Sequence, residues 1–320
     1  MMHMPQFGAE DRLTINDLPM VRGRYTENAP LGEVGWFRTG GRAEILYKPA
    51  DKQDLIDFLK SCPKSIPVHA IGVLSNTIIR DGGLRGVVVR LGRDFAHIDD
   101  MGDQIIHVGA TALDMNVALK AAQYGIGGLE FLSGIPGCIG GALKMNAGAY
   151  GTETKDVLVE AEYVTRDGTL VTATADDLNM SYRHTDTPEG AVFLSAKLKG
   201  FPQAEDVTQG KISEIKAKRS ESQPIKAKTG GSTFANPSAE ELKSVGLPED
   251  MRVWQIIDAV EGRGLSIGGA QMSELHCNFM INNGDATSHD LEQLGDEIRH
   301  RVFKKFGLQL RWEIRRVGEK

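Results

Sequence analysis

Between Gly125 and Gly151 the chain carries nine glycines and only two charged residues, Glu130 and Lys144. Such a segment offers a neighbour its backbone rather than its side chains. Glycine brings main-chain amides within reach of a bulky polyanionic or planar ligand, and it takes φ > 0 without strain. Two uses fit that chemistry: a wall against which a cofactor lies, or a run of tight turns inside a large fold. Both readings stand on the segment alone, and its flanks have to separate them.

A chain of 320 residues has room for about two domains and a substantial core. With 41% hydrophobic and 25% charged residues it is ordinary for a soluble globular protein. The balance of 37 basic against 43 acidic residues, net −6, sets up no field for nucleic acid or an anionic membrane surface. Cys62, Cys138 and Cys277 have no metal-ligand spacing and form no disulfide framework, as befits a reducing compartment. No signal pattern and no membrane-length apolar run are present, so a cytoplasmic protein is expected.

Residues 1–31 are polar and aperiodic and read as an extended or loosely packed arm. Residues 36–47 read as a turn into a short strand. Asp51 to Leu59 has helical spacing, with Asp51 as cap and Pro63 as stop. Strands follow at Ile66–Ile71 and Gly86–Leu91. A strand at Ile105–Ala110 precedes a helix closed by Gly125, with Leu113, Val117, Ala118, Ala121 and Tyr124 on its apolar face. Val157–Thr165 and Thr169–Thr174 form a hairpin across Asp167-Gly168, and Val192 to Leu198 alternates as a further strand. The polar stretch 201–209 marks a domain boundary. Beyond it come helices over Lys211–Arg219 and Trp254–Val260, a strand over Leu275–Asn282, a helix over Asp290–Phe306 and a closing strand. In that strand Leu310, Trp312 and Ile314 face one way, and Arg311, Glu313 and Arg315 the other. As a bare pattern this is a solvated or salt-bridged surface.

Several motifs are weak in isolation. The loop Gly72–Thr77 follows a strand and can wrap a pyrophosphate with amides and hydroxyls, yet it has neither a dinucleotide-fold fingerprint nor a P-loop. Ser181-Tyr-Arg-His184 reads as a polar turn. Ser232 follows two glycines without a nucleophile elbow, which argues against a hydrolase. His276 and Cys277 would point to opposite faces of a strand, a poor metal pair, and no metal site is expected.

In order along the chain, however, these segments are specific together. Trp36-Phe-Arg-Thr-Gly-Gly41, Ser75-Asn76 before Arg80-Asp-Gly-Gly83, Gly128-Leu-Glu-Phe131 to Asn146-Ala-Gly-Ala-Tyr-Gly151, Ser181-Tyr-Arg183, Gly230-Gly-Ser232 to Asn236-Pro237, Ile267-Gly-Gly-Ala270 and Trp312-Glu313 resemble the UDP-N-acetylenolpyruvoylglucosamine reductase family. The likeness runs from about Gly35 to Gly318. The short return after Arg183 is similar to the shorter branch, which lacks the tyrosine-bearing loop.

The resemblance implies an α+β fold: a two-lobed FAD-binding body of the vanillyl-alcohol-oxidase type over 32–205, with lobes of about 32–95 and 96–205, and an α+β substrate domain over 206–320. It implies non-covalent FAD as cofactor and NADPH as co-substrate. The reaction would reduce UDP-N-acetylglucosamine enolpyruvate to UDP-N-acetylmuramate in peptidoglycan precursor synthesis, in a monomer. By similarity FAD meets Gly72, Val73, Leu74, Ser75, Asn76 and Thr77 on one side. On the other it meets Ser133, Gly134, Ile135, Pro136, Gly137, Ile139, Gly140, Gly141, Asn146 and Gly148. The matching catalytic positions are Arg183, Ser232 and Glu313, with Ser232 as proton donor. Tyr182, Arg219, Asn236, Arg263 and His276 match positions around the UDP moiety.

Three positions depart from the family pattern. Leu74 replaces a glycine, so φ > 0 there is not cheap. Ala235 replaces a common basic residue and Ser222 a frequent lysine. These departures leave a catalytically silent nucleotide-sugar binding paralogue as the alternative, and another FAD oxidoreductase of the same fold as a narrower one.

Overall fold

The computed structural model describes residues 12–320. Its first sheet has β1 (Arg24–Pro30) antiparallel to β2 (Arg42–Lys48), which runs parallel to β5 (Leu84–Val89); β5 is in turn parallel to β3 (Val68–Ala70). Between β2 and β3 lies α1 (Lys52–Ser61), capped by Asp51, whose side chain accepts from the Asp54 amide. Leu55, Phe58 and Leu59 of α1 are buried against Ile45, Tyr47, Val87 and Val89. In its described part the arm is extended, as one of the two expected readings has it, but not loosely packed. Residues 24–30 form an edge strand, and Leu13, Leu18 and Val21 pack on the same cluster. Its pattern is obscured because an edge strand half-exposed along its length, with Asn28 at φ +50°, shows little alternation. The rest of that arm, residues 1–11, lies outside the described residues.

A short strand, β4 (Thr77–Ile79), leaves the first sheet and pairs elsewhere. The second lobe begins with β6 (Ile98–Asp100), β7 (Ile105–Gly109) and α2 (Asp114–Gln123). The glycine-rich stretch contains β8 (Ile126–Gly127), a 3-10 turn at Glu130–Gly134, α3 (Ile139–Met145) and β9 (Gly148–Ala149), which hairpins with β10 (Thr152–Glu153). After α4 (Thr154–Val157) come β11 (Leu158–Val164), β12 (Leu170–Ala173) and β13 (Val192–Lys199). The sheet order is β12–β11–β13–β7–β6, antiparallel throughout. The expected hairpin is present, with Val164 opposite Leu170. After β14 (Phe201–Pro202), the helix expected over Lys211–Arg219 is longer, α5 (Glu205–Ser222). Its buried Ile212 joins the core of Val117, Ala121, Leu129 and Leu132. The stretch 201–209 is polar, then, because α5 exposes most of its surface, while the helix itself packs on the second lobe.

The third unit comprises β15 (Lys228–Ser232), α6 (Ala239–Ser244), α7 (Val253–Ala259), β16 (Ser266–Ile267), β17 (Ala270–Met272), β18 (Phe279–Asn282), α8 (Ser288–Phe306) and β19 (Arg315–Val317). Leu291, Leu294, Ile298 and Val302 of α8 are buried with Ile256, Ile257, Met272 and Met280, and α8 ends at Gly307 with φ +71°. The strand expected over Leu275–Asn282 is confined to β18. Residues 275–278 form a turn in which the Ser273 hydroxyl accepts from the Leu275 and His276 amides, so His276 and Cys277 are not strand neighbours.

The third unit is tied back onto the first. β19 pairs in parallel with β4, Arg315 opposite Thr77 and Val317 opposite Ile79. Arg80, just after β4, reaches Glu292 of α8 at 3.0 Å, and the Asp81 carboxylate accepts from the Ser288 and His289 amides at the N-terminus of α8. Among the described residues no helix is long and apolar enough to cross a membrane.

Candidate active site

Arg183 sits in a tight turn whose ends, Ser181 and His184, exchange backbone hydrogen bonds of 3.0 Å, and its own φ is +56°. The glycine-rich stretch holds that turn. Asn146, the left-handed C-cap of α3, donates from Nδ2 to the Ser181 carbonyl at 2.9 Å and to Glu153 Oε2 at 3.0 Å, and accepts from the Lys155 amide. Arg183 Nε then donates to Glu313 Oε1 at 2.5 Å, and its guanidinium lies 5.0 Å from the Tyr182 ring centre.

Glu313 is fixed through its backbone. Its N–H donates to the Thr233 carbonyl at 2.8 Å, and its carbonyl accepts from Asn76 Nδ2 at 3.1 Å. Of the two expected characters of this face, salt-bridged holds, with Glu313 on Arg183 and Arg311 on Glu241, and solvated is corrected for Glu313. Residues 308–314 make a single bridge, Phe234 to Trp312, before β19 begins, and Glu313 turns inward with its side chain 12% exposed. Burial pushes its carboxyl above the ordinary value, with Arg183 pulling the other way. For Arg183, burial opposes the charge, but Glu313 overrides it and holds the guanidinium above its ordinary value.

Ser232 ends β15 opposite Phe279 of β18, beyond a bulge that starts after Thr229. The bulge needs its glycines: a Cβ on Gly230 would stand 2.2 Å from the Phe37 ring, and Gly231 has φ +80°. The next residue, Thr233, is the one whose carbonyl holds Glu313, and its own amide donates to the Asn278 carbonyl at 2.7 Å. Ser232 and Glu313 thus stand on neighbouring extended segments. Gly231 and Phe279 line a cleft of ≈ 240 Å³ together with Trp36, Met115, Pro136 and Arg219, so all three units contribute to it.

The Gly72–Thr77 loop and the glycine-rich stretch adjoin. A Cβ on Gly72 would lie 2.9 Å from Cys138 Sγ, and one on Gly137 would lie 2.7 Å from Asp114 Oδ2 and 3.8 Å from Ser75 Oγ. A side chain at either position would have to displace a neighbouring side chain. Asp114 is fully buried with both carboxylate oxygens unpartnered, and burial pushes its carboxyl well above the ordinary range. The chemistry of the donors and the lack of side chains both suit a dinucleotide.

Residues 43–174 match the profile of an FAD binding domain, and residues 223–317 that of the UDP-N-acetylenolpyruvoylglucosamine reductase C-terminal domain. The protein of that name from Paramagnetospirillum magneticum is 51% identical over 301 residues, 94% of each chain. The chain belongs to the UDP-N-acetylenolpyruvoylglucosamine reductase family. The reductase of Gluconobacter oxydans is 48% identical over 307 residues, 95% of this chain and 96% of that one. The crystal structure of the Thermus caldophilus reductase aligns with a TM-score of 0.77 at 28% identity, covering 93% of this chain and 100% of that one.

Within this reductase fold the residues expected at the cofactor divide by side chain. Ser75 and Asn76 are half-exposed, as are Val73, Thr77, Gly134, Ile135, Pro136, Gly137, Gly140 and Gly148; Gly72 and Gly141 are exposed. Leu74, Ser133, Ile139 and Asn146 are buried. The Ser133 hydroxyl donates to the Glu130 carbonyl at 2.7 Å, so its side chain braces the 3-10 turn. Asn146 likewise braces the Arg183 turn. Sequence reasoning missed Asp114, and it missed Tyr150, whose ring stands 2.7 Å from a Cβ on Gly134 and whose hydroxyl donates to the Ile215 carbonyl. A buried carboxylate at a helix start looks in sequence like any first-turn acid.

Leu74 takes φ +55° after all. Its side chain is buried among Leu31, Leu46, Ile79 and Val88, and that burial offsets the strain. Leu74→Gly relieves about 1–2 kcal/mol of left-handed strain but removes a side chain whose loss costs about 2–5 kcal/mol. The expected result is a net loss of stability in chemical denaturation. An unchanged or raised midpoint would contradict this account.

Among the positions matched to the UDP moiety, Arg219 lines the cleft, and His276 stacks edge-on to Phe279 at 4.8 Å. Tyr182 is exposed beside Arg183. Asn236 is engaged locally, its Oδ1 accepting from the Val253 amide at 3.1 Å. Arg263 is bound to both Asp258 oxygens at 2.9 Å. Ala235 is buried with its amide on the Arg311 carbonyl, and Ser222 closes α5.

Proposed function

We infer that the chain is an FAD-dependent reductase that uses NADPH to convert UDP-N-acetylglucosamine enolpyruvate into UDP-N-acetylmuramate, and that Arg183, Ser232 and Glu313 carry its chemistry. The observation behind the residue roles is the convergence of three distant parts of the chain: Arg183 on Glu313, and Glu313 on the residue beside Ser232. The Gly72–Thr77 loop and the segment 133–148 would hold FAD, which would supply the hydride.

Adding a hydride to an enol ether conjugated with a carboxylate builds negative charge on that carboxylate, which demands preorganised positive charge and donors. Arg183 presents a planar fork to it. A substrate carboxylate on Arg183 takes away the one influence that lowers the Glu313 pKa. In its protonated form Glu313 is assigned as the donor to the developing enediolate, and Ser232 as the group that delivers the proton to the carbon that bears the carboxylate. Arg219 and His276 are proposed around the diphosphate and uridine. We place the enzyme, on the same reading, in cell-wall precursor synthesis in the cytoplasm, acting as a monomer.

Anaerobic absorbance tests the reading. NADPH should bleach the flavin, and the enolpyruvyl nucleotide should restore its colour. A protein that binds UDP-sugar but never reoxidises its flavin with that nucleotide would instead be the silent paralogue.

A further inference from the structure

β6 and β7 form the free edge of the five-stranded sheet, with Asp99 opposite His107. His97, just before β6, accepts the Gly109 amide on its carbonyl at 2.9 Å, so it lies opposite Gly109. Residues 97 and 99, 107 and 109 therefore share one face. The two imidazoles stand 4.5 Å apart, centre to centre, at 50°. One ligand atom from each of His97, Asp99 and His107 lies within 4.8 Å of the other two, the only such trio found among the described residues. A Cβ on Gly109 would lie 3.0 Å from His97 Nδ1, which places that nitrogen over the glycine. The other nitrogen, Nε2, is buried and has no hydrogen-bond partner. A buried ring nitrogen without a partner is costly, and the trio offers one occupant that satisfies it.

We propose that His97, Asp99 and His107 bind one divalent ion of the zinc class, with solvent completing the coordination. Two imidazoles and a carboxylate suit zinc or cobalt rather than magnesium or calcium. Ligand atoms around such an ion stand about 3.3 Å apart, so modest rotation of the exposed Asp99 and the rings closes the set. Lys197, across from His107, is paired with Glu160 at 2.8 Å, and Lys52 is paired with Glu162 at 2.7 Å. None of the three ligands lines the cleft. The ion would pin the edge strand β6 to β7.

The test uses the chelator-treated holoenzyme in equilibrium dialysis against Zn²⁺ and, separately, Co²⁺, followed by metal analysis. One equivalent should bind, and His97→Ala and His107→Ala should each weaken binding by more than the ~10-fold that loss of an outer-shell partner costs. Asp99→Asn, at an exposed position, guards against misfolding. It should keep bound flavin and turnover while losing affinity. Hydrogen exchange at the Ile98–Asp100 amides should slow when metal is added to the parent and not to the variants. Failure to bind stoichiometrically, or binding that all three variants leave unchanged, overturns the proposal.

Discussion

Ser232→Ala is expected to leave bleaching of the flavin by NADPH within a few-fold of the parent while slowing its reoxidation by the enolpyruvyl nucleotide by at least ~10²-fold. The asymmetry follows from where the proton is needed. Reduction of the cofactor needs no proton on the substrate carbon, whereas the second half-reaction ends by protonating it. A serine hydroxyl is a weak acid, so its position has to compensate for its pKa. The bulge in β15 and the bond from Thr233 to Asn278 fix the backbone on either side of it. Anaerobic stopped-flow absorbance separates the two half-reactions. Equal slowing of both would assign Ser232 to cofactor alignment, and no slowing of either would remove it from the mechanism.

How legible all this was in the sequence depends on the range of the interaction. The Asp51 cap, the hairpin at Gly168 and the α8 stripe ending at Gly307 follow from local periodicity and turn chemistry and are present; so is the α2 face of Val117, Ala118, Ala121 and Tyr124 closed at Gly125, although Leu113, expected on it, is the exposed N-cap. Two elements depend on contacts that periodicity does not register: β1, visible only against β2, and the turn at residues 275–278, built on local bonds to the Ser273 hydroxyl two and three residues back. Leu74 belongs to the same class, since its left-handed backbone is tolerated only because distant residues bury its side chain. For the site, motif order pointed to Arg183, Ser232 and Glu313, but periodicity placed Glu313 on a surface. It faces inward because Thr233 and Asn76 capture its backbone, and neither contact leaves a trace in a window around residue 313. The His97, Asp99 and His107 cluster is hidden for a similar reason, being assembled across a strand pair.

Glu313 also carries the pH dependence. Its folded pKa is raised, by burial first. A group of that kind lends the fold stability that is fully present below the unfolded carboxyl pKa and is lost as pH rises through the folded one. The neutral form that donates a hydrogen bond is depleted over the same rise. Flavin reoxidation should therefore fall on the alkaline side, and Glu313→Gln, which keeps a donor and cannot ionise, should flatten that limb while retaining part of the rate. Glu313→Ala keeps neither donor nor shape and should lose ~10²–10³-fold. It also strips Arg183, whose side chain is 23% exposed, of its partner, so thermal stability should drop in the alanine variant more than in the glutamine one. Stopped-flow reoxidation across a pH series, with a melting curve for each variant, checks both statements. If Glu313→Gln proves as slow as Glu313→Ala at every pH, then the negative charge of Glu313, and not its proton, is what the reaction uses.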